Sequence, residues 1–203
     1  MFNYPYPFNM FKKLFFFALL VAMIKVSSAQ SLRHSFGETV SVMHGTMQDQ
    51  YYQQDLTLIQ SNLSYFPRLS FLETEKTSLS IGVPLGIGFG MYSDTYASDE
   101  GLYFSFDVPV VLDFNIGCNS SKENTNGFGG FVGVGFGFQK VSISQTEYVD
   151  YNGESYGPMI RGGVRFRGSS RWRTKSITIS SFYKMGMENE KFKTVGLSAF
   201  FDL

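Results

Sequence analysis

The feature that most limits how this chain can fold is a two-residue alternation that returns, segment after segment, from about residue 55 to the end. In "SLSIGVPLGIGFGMY" the positions Leu79, Ile81, Val83, Leu85, Ile87, Phe89 and Met91 are all apolar, while those between them are small or polar. "LYFSFDVPVVLDFN" repeats the scheme, with Leu102, Phe104, Phe106, Val108, Val110, Leu112 and Phe114 set against Ser105, Asp107, Asp113 and Asn115. Period two is the signature of a strand with two unlike faces, and no segment carries a convincing helical period. In "FGGFVGVGFGF", residues 128–138, one parity is Phe and Val while the other is nearly all glycine. Glycine leaves little to pack on its own face, so that face must be one where neighbours need the room.

The later segments follow suit. "GPMIRGGVRFR" sets Ile160, Val164 and Phe166 opposite Arg161, Arg165 and Arg167, and "SITISSFYKMGM" sets Ile177, Ile179 and Tyr183 opposite Thr178, Ser180 and Lys184. "TVGLSAFFDL" places Val195, Leu197, Ala199 and Phe201 against Ser198 and Asp202. "IQSNLSYFPRLSF" alternates less regularly, with Arg68 on its polar side, and residues 35–47 have mixed parity. Eight segments result, divided by polar stretches rich in Gly, Asn, Asp and Ser of the kind hairpins use. If the connections alternate between two ends, residues 48–54, 93–100, 142–155 and 188–190 share one end. Residues 73–76, 116–127 and 168–173 share the other, with both termini. Cys118 is the only cysteine, so no internal disulfide holds the chain. A closed hydrogen-bonded sheet is one way to supply the missing constraint.

The beginning of the chain reads differently. "MFKKLFFFALLVAMIKVSSAQ" combines a basic pair, an apolar run and the small residues Ser27, Ser28 and Ala29, the layout of a secretory signal peptide cleaved after Ala29. Met10 serves as well as Met1 for a start. The apolar run of about 11 residues is too short to span a bilayer as a helix. The expected organisation is therefore a signal peptide at 1–29 and one domain at 30–203. Loss of Lys12, Lys13 and Lys25 leaves 14 basic residues against 17 acidic ones. That balance excludes a nucleic-acid footprint, which needs a basic excess.

Alternation alone fits a soluble barrel with its apolar face inside or a membrane barrel with that face outside. Three features favour the membrane. The second face is dominated by glycine where it is not charged, as a narrow barrel interior requires. Its charges, Arg68, Asp107, Asp113, Arg161, Arg165 and Lys184, have both signs and can pair across an interior. The apolar face carries no charge through the middle of the third, fourth, fifth and eighth segments, where a lipid-facing charge would cost roughly 2–4 kcal/mol. The expected fold is an all-β, eight-stranded, antiparallel, up-and-down transmembrane β-barrel.

The strings "LSYFPRLSF", "FDVPVVLDFNIGC", "GFGGFVGVGFGF" and "VGLSAFFDL", with the Ala29/Gln30 junction, resemble the small outer-membrane β-barrel domains widespread in Bacteroidota. The resemblance spans nearly the whole mature chain and rests on turns, glycines and aromatics rather than on catalytic signatures. It implies insertion by the outer-membrane assembly machinery, which reads an aromatic-ended last strand. This chain ends Phe-Asp-Leu, so Phe200 or Phe201 would have to serve.

No catalytic, cofactor-binding or metal-binding set stands out. One cysteine and two histidines, His34 and His44, cannot form the usual zinc set. Ser41 and Ser180 lack the surround of a nucleophile. "GVPLGIGFG" leads into no helix, which removes a phosphate-loop reading. The six inward charges are expected to form an interior ion-pair network, with Asp107 and Asp113 within reach of Arg161 or Arg165. Tyr148, Asp150, Tyr151 and Asn152 form a candidate recognition loop, and Tyr156 and Trp172 suit aromatic belts at the two lipid boundaries. The function expected is a non-enzymatic integral outer-membrane barrel with a structural, adhesive or envelope-assembly role, in contact with outer-membrane lipid and lipopolysaccharide. The alternatives are a small-solute or lipid-handling barrel in the same membrane, or a soluble periplasmic barrel that binds an apolar ligand.

Overall fold

A computed structural model describes residues 31–48, 53–94, 100–144, 150–168, 175–187 and 192–203. The expected signal peptide, Trp172 and Tyr148 lie outside those residues. Ten strands are present: β1 (Ser31–Gln48), β2 (Gln53–Phe71), β3 (Thr77–Gly82), β4 (Leu85–Asp94), β5 (Glu100–Asp107), β6 (Val110–Gly117), β7 (Phe128–Ser144), β8 (Asp150–Arg167), β9 (Ser176–Met185) and β10 (Lys193–Asp202). All pairings are antiparallel, and β1 pairs with both β2 and β10, so the sheet closes on itself. Closure removes every free edge.

The expectation of eight strands is corrected to ten. The two extra strands arise at Val83-Pro84 and Val108-Pro109, where a residue without an N–H breaks the ladder. Each broken pair of strands stays end to end in one register. Tyr65 faces Leu85 in β4 and Arg68 faces Gly82 in β3 without a slip, and β5 and β6 likewise continue one register along β7.

A second correction concerns the long loop expected at 142–155. Strands β7 and β8 run to Ser144 and from Asp150, and those two residues pair. Backbone pairing does not need apolar side chains, so the ladder outlasts the apolar stripe. Asp150, Tyr151 and Asn152 are strand residues, opposite Ser144, Ile143 and Ser142. The first strand is also longer than its mixed parity suggested. Its outward positions alternate Leu32, Phe36, Val40 and Val42 with His34, Glu38 and His44, which hid the period.

The apolar parity faces outward. Phe89 is 71% exposed, as are Leu63, Val132, Val134, Leu102 and Leu197 to similar extents, whereas Arg165 and Asp113 are fully buried. This is the reverse of a soluble ligand-binding barrel, whose apolar face would turn inward.

Glycine makes the interior possible by standing opposite aromatic rings. Gly90 faces Tyr103, Gly101 faces Tyr92, Gly196 faces Phe182, and Gly163 faces Phe131. A Cβ at any of these positions would collide with the ring. Gly133 plays the same part for the Asp113 carboxylate, while outward Gly130 has only a backbone oxygen, 3.2 Å from a Cβ. Gly133→Val is therefore expected to destabilise the folded chain by about 1–3 kcal/mol, and Gly130→Val by much less. Denaturant unfolding in detergent micelles measures both.

Candidate functional site

The inside of the barrel is the part with chemistry, and strand alternation aims its residues there. Arg68, Asp107, Asp113, Arg161, Arg165 and Lys184 all lie on inward parities of β2, β5, β6, β8 and β9. They sort into layers rather than one network.

Nearest the chain ends, Asp202 of β10 joins four strands. Its carboxylate accepts from Arg68 Nη2 (2.9 Å) of β2, Ser35 Oγ (2.6 Å) of β1, and Thr178 Oγ1 (2.8 Å) and Ser176 Oγ of β9. Arg68 and Asp202 are each almost wholly buried. Asp202 stands outside the expected charge set, although its place on the polar parity of the last segment carries the signal.

One step deeper, Arg161 Nε lies 3.6 Å from Asp113 Oδ1. The Arg161 guanidinium also sits over the rings of Phe66 and Phe131, 4.9 Å from each centroid, and Arg165 over Phe131 at 4.6 Å. Arginine in a dry interior gains from aromatic faces as well as from carboxylates. Arg165 donates to Asn115 Oδ1 (2.8 Å) rather than to a carboxylate, and Asn115 in turn donates to Ser80 Oγ (3.0 Å).

Asp107 belongs to a separate group nearer the loop end, and the expected pairing with Arg161 or Arg165 is not made. Its Oδ2 accepts from Gln60 Nε2 (3.1 Å) and from Asn62 Nδ2. Lys184 Nζ donates to Gln139 Oε1 (2.7 Å), and Gln139 Nε2 donates to Gln60 Oε1 (2.9 Å). Among the described residues no carboxylate comes within ion-pair distance of Lys184. A cavity of about 60 Å³ opens here, bordered by Asp107, Lys184, Gln60, Gln139, Arg161 and Phe182 among others.

The end of the barrel that carries the chain ends is closed by the connection between β6 and β7. Gly117 and Asn119 take left-handed conformations (φ 73° and 59°), which turn the chain sharply over the mouth. Asn119 Nδ2 reaches across to Ser176 Oγ (2.6 Å), Asn124 Nδ2 to the Glu75 carbonyl (2.7 Å), and Arg167 Nη2 to the Asn124 carbonyl (2.7 Å). Cys118 and Ser120 are fully buried beneath this cap. Burial pushes the Cys118 thiol above its ordinary range, so it lacks thiolate character.

The histidines lie on the other side of the wall. His34 bonds Tyr65 Oη (2.6 Å) and His44 bonds Thr57 Oγ1 (3.1 Å), both on outward positions, whereas Ser41 and Ser180 face inward. Among the described residues no group of His, Cys, Asp and Glu could hold a metal ion. Tyr156 faces outward beside Phe136, with ring centroids 6.1 Å apart.

No family model matches the chain, and no curated protein matches it. Among solved structures, the outer membrane protein OprG from Pseudomonas aeruginosa is similar over 86% of this chain and 94% of its own, with TM-score 0.51 and 9% identity. Ail, the attachment invasion locus protein of Yersinia pestis, matches over 86% and 99% with TM-score 0.48 and 12% identity. Neisserial surface protein A matches over 83% and 96% with TM-score 0.45 and 12% identity. At such identities the likeness to OprG is one of fold: an antiparallel all-β barrel.

Two outcomes test this interior. Asp202→Ala leaves the Arg68 guanidinium buried without its carboxylate and is expected to cost about 3–5 kcal/mol in denaturant unfolding. Adding Arg68→Met should restore part of the loss. A maleimide is expected to modify Cys118 in the unfolded chain and to leave it unmodified in the folded one, as read by mass spectrometry.

Proposed function

We propose that this chain is a non-enzymatic integral barrel of a Gram-negative outer membrane, exported by a signal peptide at residues 1–29, with a structural, adhesive or envelope-assembly role. The observation that carries the reading is the inverted distribution of side chains. A continuous outer band of Phe, Val, Leu, Ile and Met surrounds an interior of buried Arg, Asp, Asn, Ser and Lys. Water penalises such an exterior and hydrocarbon does not, while only a closed sheet satisfies its backbone there. The OprG-like fold supports the same location.

The filled interior argues against a lengthwise channel. Apolar side chains close the loop half, ion pairs and stacked arginines fill the turn half, and the 117–127 connection covers the mouth. A scaffold of this kind acts through what it presents. Outer-membrane lipid and lipopolysaccharide are the partners of its flank, and the assembly machinery is the partner of its insertion. Tyr148, together with Asp150, Tyr151 and Asn152 at the start of β8, is the candidate recognition element.

The direct test is fractionation of the expressed mature chain. It is expected in the carbonate-resistant membrane fraction, with heat-modifiable mobility on gels and no steady conductance in planar bilayers. A chain that stays folded and dissolved without detergent sinks the reading. A complementary outcome is that Val134→Arg, in the middle of the outer band, lowers stability in phospholipid vesicles by about 2–4 kcal/mol.

A further inference from the structure

Around most of the barrel the outward parity is apolar through the middle of the band. On β1 it is not. Glu38 stands outward between Phe36 and Val40, with Leu32 and Val42 further along the strand, all four of them exposed. Among the described residues it is the one charged side chain with exposed large apolar neighbours on both sides along its own strand. The polar ends of the same face are His34, bonded to Tyr65, and His44, bonded to Thr57. Glu38 lies between them, roughly 14 Å from the first and 20 Å from the second along the strand. A carboxylate set in hydrocarbon at that depth is costly, so the group needs a partner.

The chain supplies that partner only in part. Ser61 Oγ of β2 donates to Glu38 Oε1 (2.7 Å), and among the described residues no hydrogen bond reaches Oε2. Cations on the outward parity stand elsewhere. Lys193 faces His44 at the loop end of β10, Lys175 precedes β9 at the turn end, and Lys140 of β7 is bound to Glu154 (3.3 Å) of β8. Acyl chains offer no donor.

The surface on the two sides of Glu38 is unequal in height. Its cross-strand neighbours are Leu63 of β2 and Ala199 of β10. Leu63 is 72% exposed and stands clear of the wall, whereas Ala199 ends at its Cβ. The low side continues through Ser181 of β9 and Gly162 of β8, which pair on the next outward rung.

A second copy of this chain supplies what is missing. Copies inserted in one membrane share one orientation, so two of them side by side are related by a two-fold axis along the membrane normal and meet at equal depth. An axis close to Glu38 turns the raised Leu63 side of each copy toward the low Ala199 side of the other. The same axis brings the two Glu38 side chains together. A protonated carboxyl both donates and accepts, so two of them satisfy each other with two O–H···O bonds and no net charge. Such a pair needs no cation, and the described part of this face provides none at that depth.

We propose that the outward face of β10, β1 and β2 is an intramembrane interface with a second copy of this chain. The two Glu38 carboxyls bond to each other, and Leu63 of each copy packs against Ala199 of the other. In lipid, where apolar burial gives no drive to associate, close approach at small residues and hydrogen bonds across the contact are what hold proteins together. This inference rests on the membrane location proposed above and goes beyond it.

The test is sedimentation equilibrium of the mature chain in density-matched octyl-pentaoxyethylene micelles, over a range of chain-to-detergent ratios. A reversible monomer–dimer equilibrium is expected. Glu38→Leu should weaken the dimer by about tenfold or more, the size expected for two lost hydrogen bonds in an apolar medium. Glu38→Gln, which cannot ionise yet keeps a donor and an acceptor, should hold it to within about threefold. Ala199→Leu, which fills the low side, should weaken it by about tenfold. Heat-modifiable gel mobility reports folding for every variant. Geometry is read by oxidative cross-linking in phosphatidylcholine vesicles, with Cys118→Ala as background. A mixture of Leu63→Cys and Ala199→Cys chains should yield a disulfide-linked pair, identified by mass spectrometry. Val134→Cys chains, altered on the opposite side of the barrel, should not. Association of Glu38→Leu equal to that of the native chain, or cross-linking at Val134 as ready as at Leu63 and Ala199, would each overturn the proposal. So would a Leu63→Cys chain that cross-links in whole cells only to a different polypeptide, which gives the face to another protein. A chain that inserts into vesicles yet stays monomeric there and in micelles removes this proposal alone. A chain that never inserts removes the membrane reading first.

Discussion

A chain that turns Phe, Val, Leu and Ile outward must satisfy its own backbone, because the surroundings that tolerate those side chains offer no hydrogen bonds. Closure of the sheet meets that demand, and the rest of the structure follows from it. The joint between the first strand and the last is where closure could fail. There the Asp202 carboxylate binds Ser35 of β1, Arg68 of β2, and Ser176 and Thr178 of β9, while the Leu203 N–H donates to the His34 carbonyl (2.9 Å). One acid near the chain end holds strands far apart in sequence.

The narrow interior that closure creates then dictates composition. Cross-strand glycine and aromatic residues share space that two large side chains could not, as at Gly90 with Tyr103 and Gly196 with Phe182. Charges inside need partners, and arginine finds them in carboxylates, amides and ring faces together. The result is a barrel filled along its length. A cavity lies at the polar level of Asp107 and Lys184, the level at which two prolines interrupt the ladder.

Much of this was legible in the chain itself. Which residues of β4, β6, β7 and β10 share a face could be assigned one by one, because a side-chain period of two fixes that sharing, and the glycines and mixed charges of the second face pointed it inward. Pro84 and Pro109 were in plain view inside two of the cleanest segments, yet side-chain alternation runs through a proline undisturbed while the backbone ladder does not. That is why eight segments became ten strands. The Asp150 to Asn152 stretch reads as a loop because it is polar on both faces, although a strand beyond the apolar band needs no apolar face. β1 was obscured by Glu38, which stands among outward apolar residues and accepts a hydrogen bond from Ser61 Oγ (2.7 Å).

Alternation and glycine content determined by themselves that this chain forms a sheet with a greasy face and a crowded polar one. They determined which side chains share a face, since that depends on neighbours one and two residues away. Tertiary structure alone decided which of those inward charges meet. Asp113 finds Arg161 and Asp202 finds Arg68, while Asp107 finds amides and Lys184, among the described residues, finds no acid, because partners across a barrel are set by register and by the stagger of distant strands. The same registers bring Pro84 to face Pro109. No local pattern encodes that meeting, and the interruption of the ladder exists only because of it.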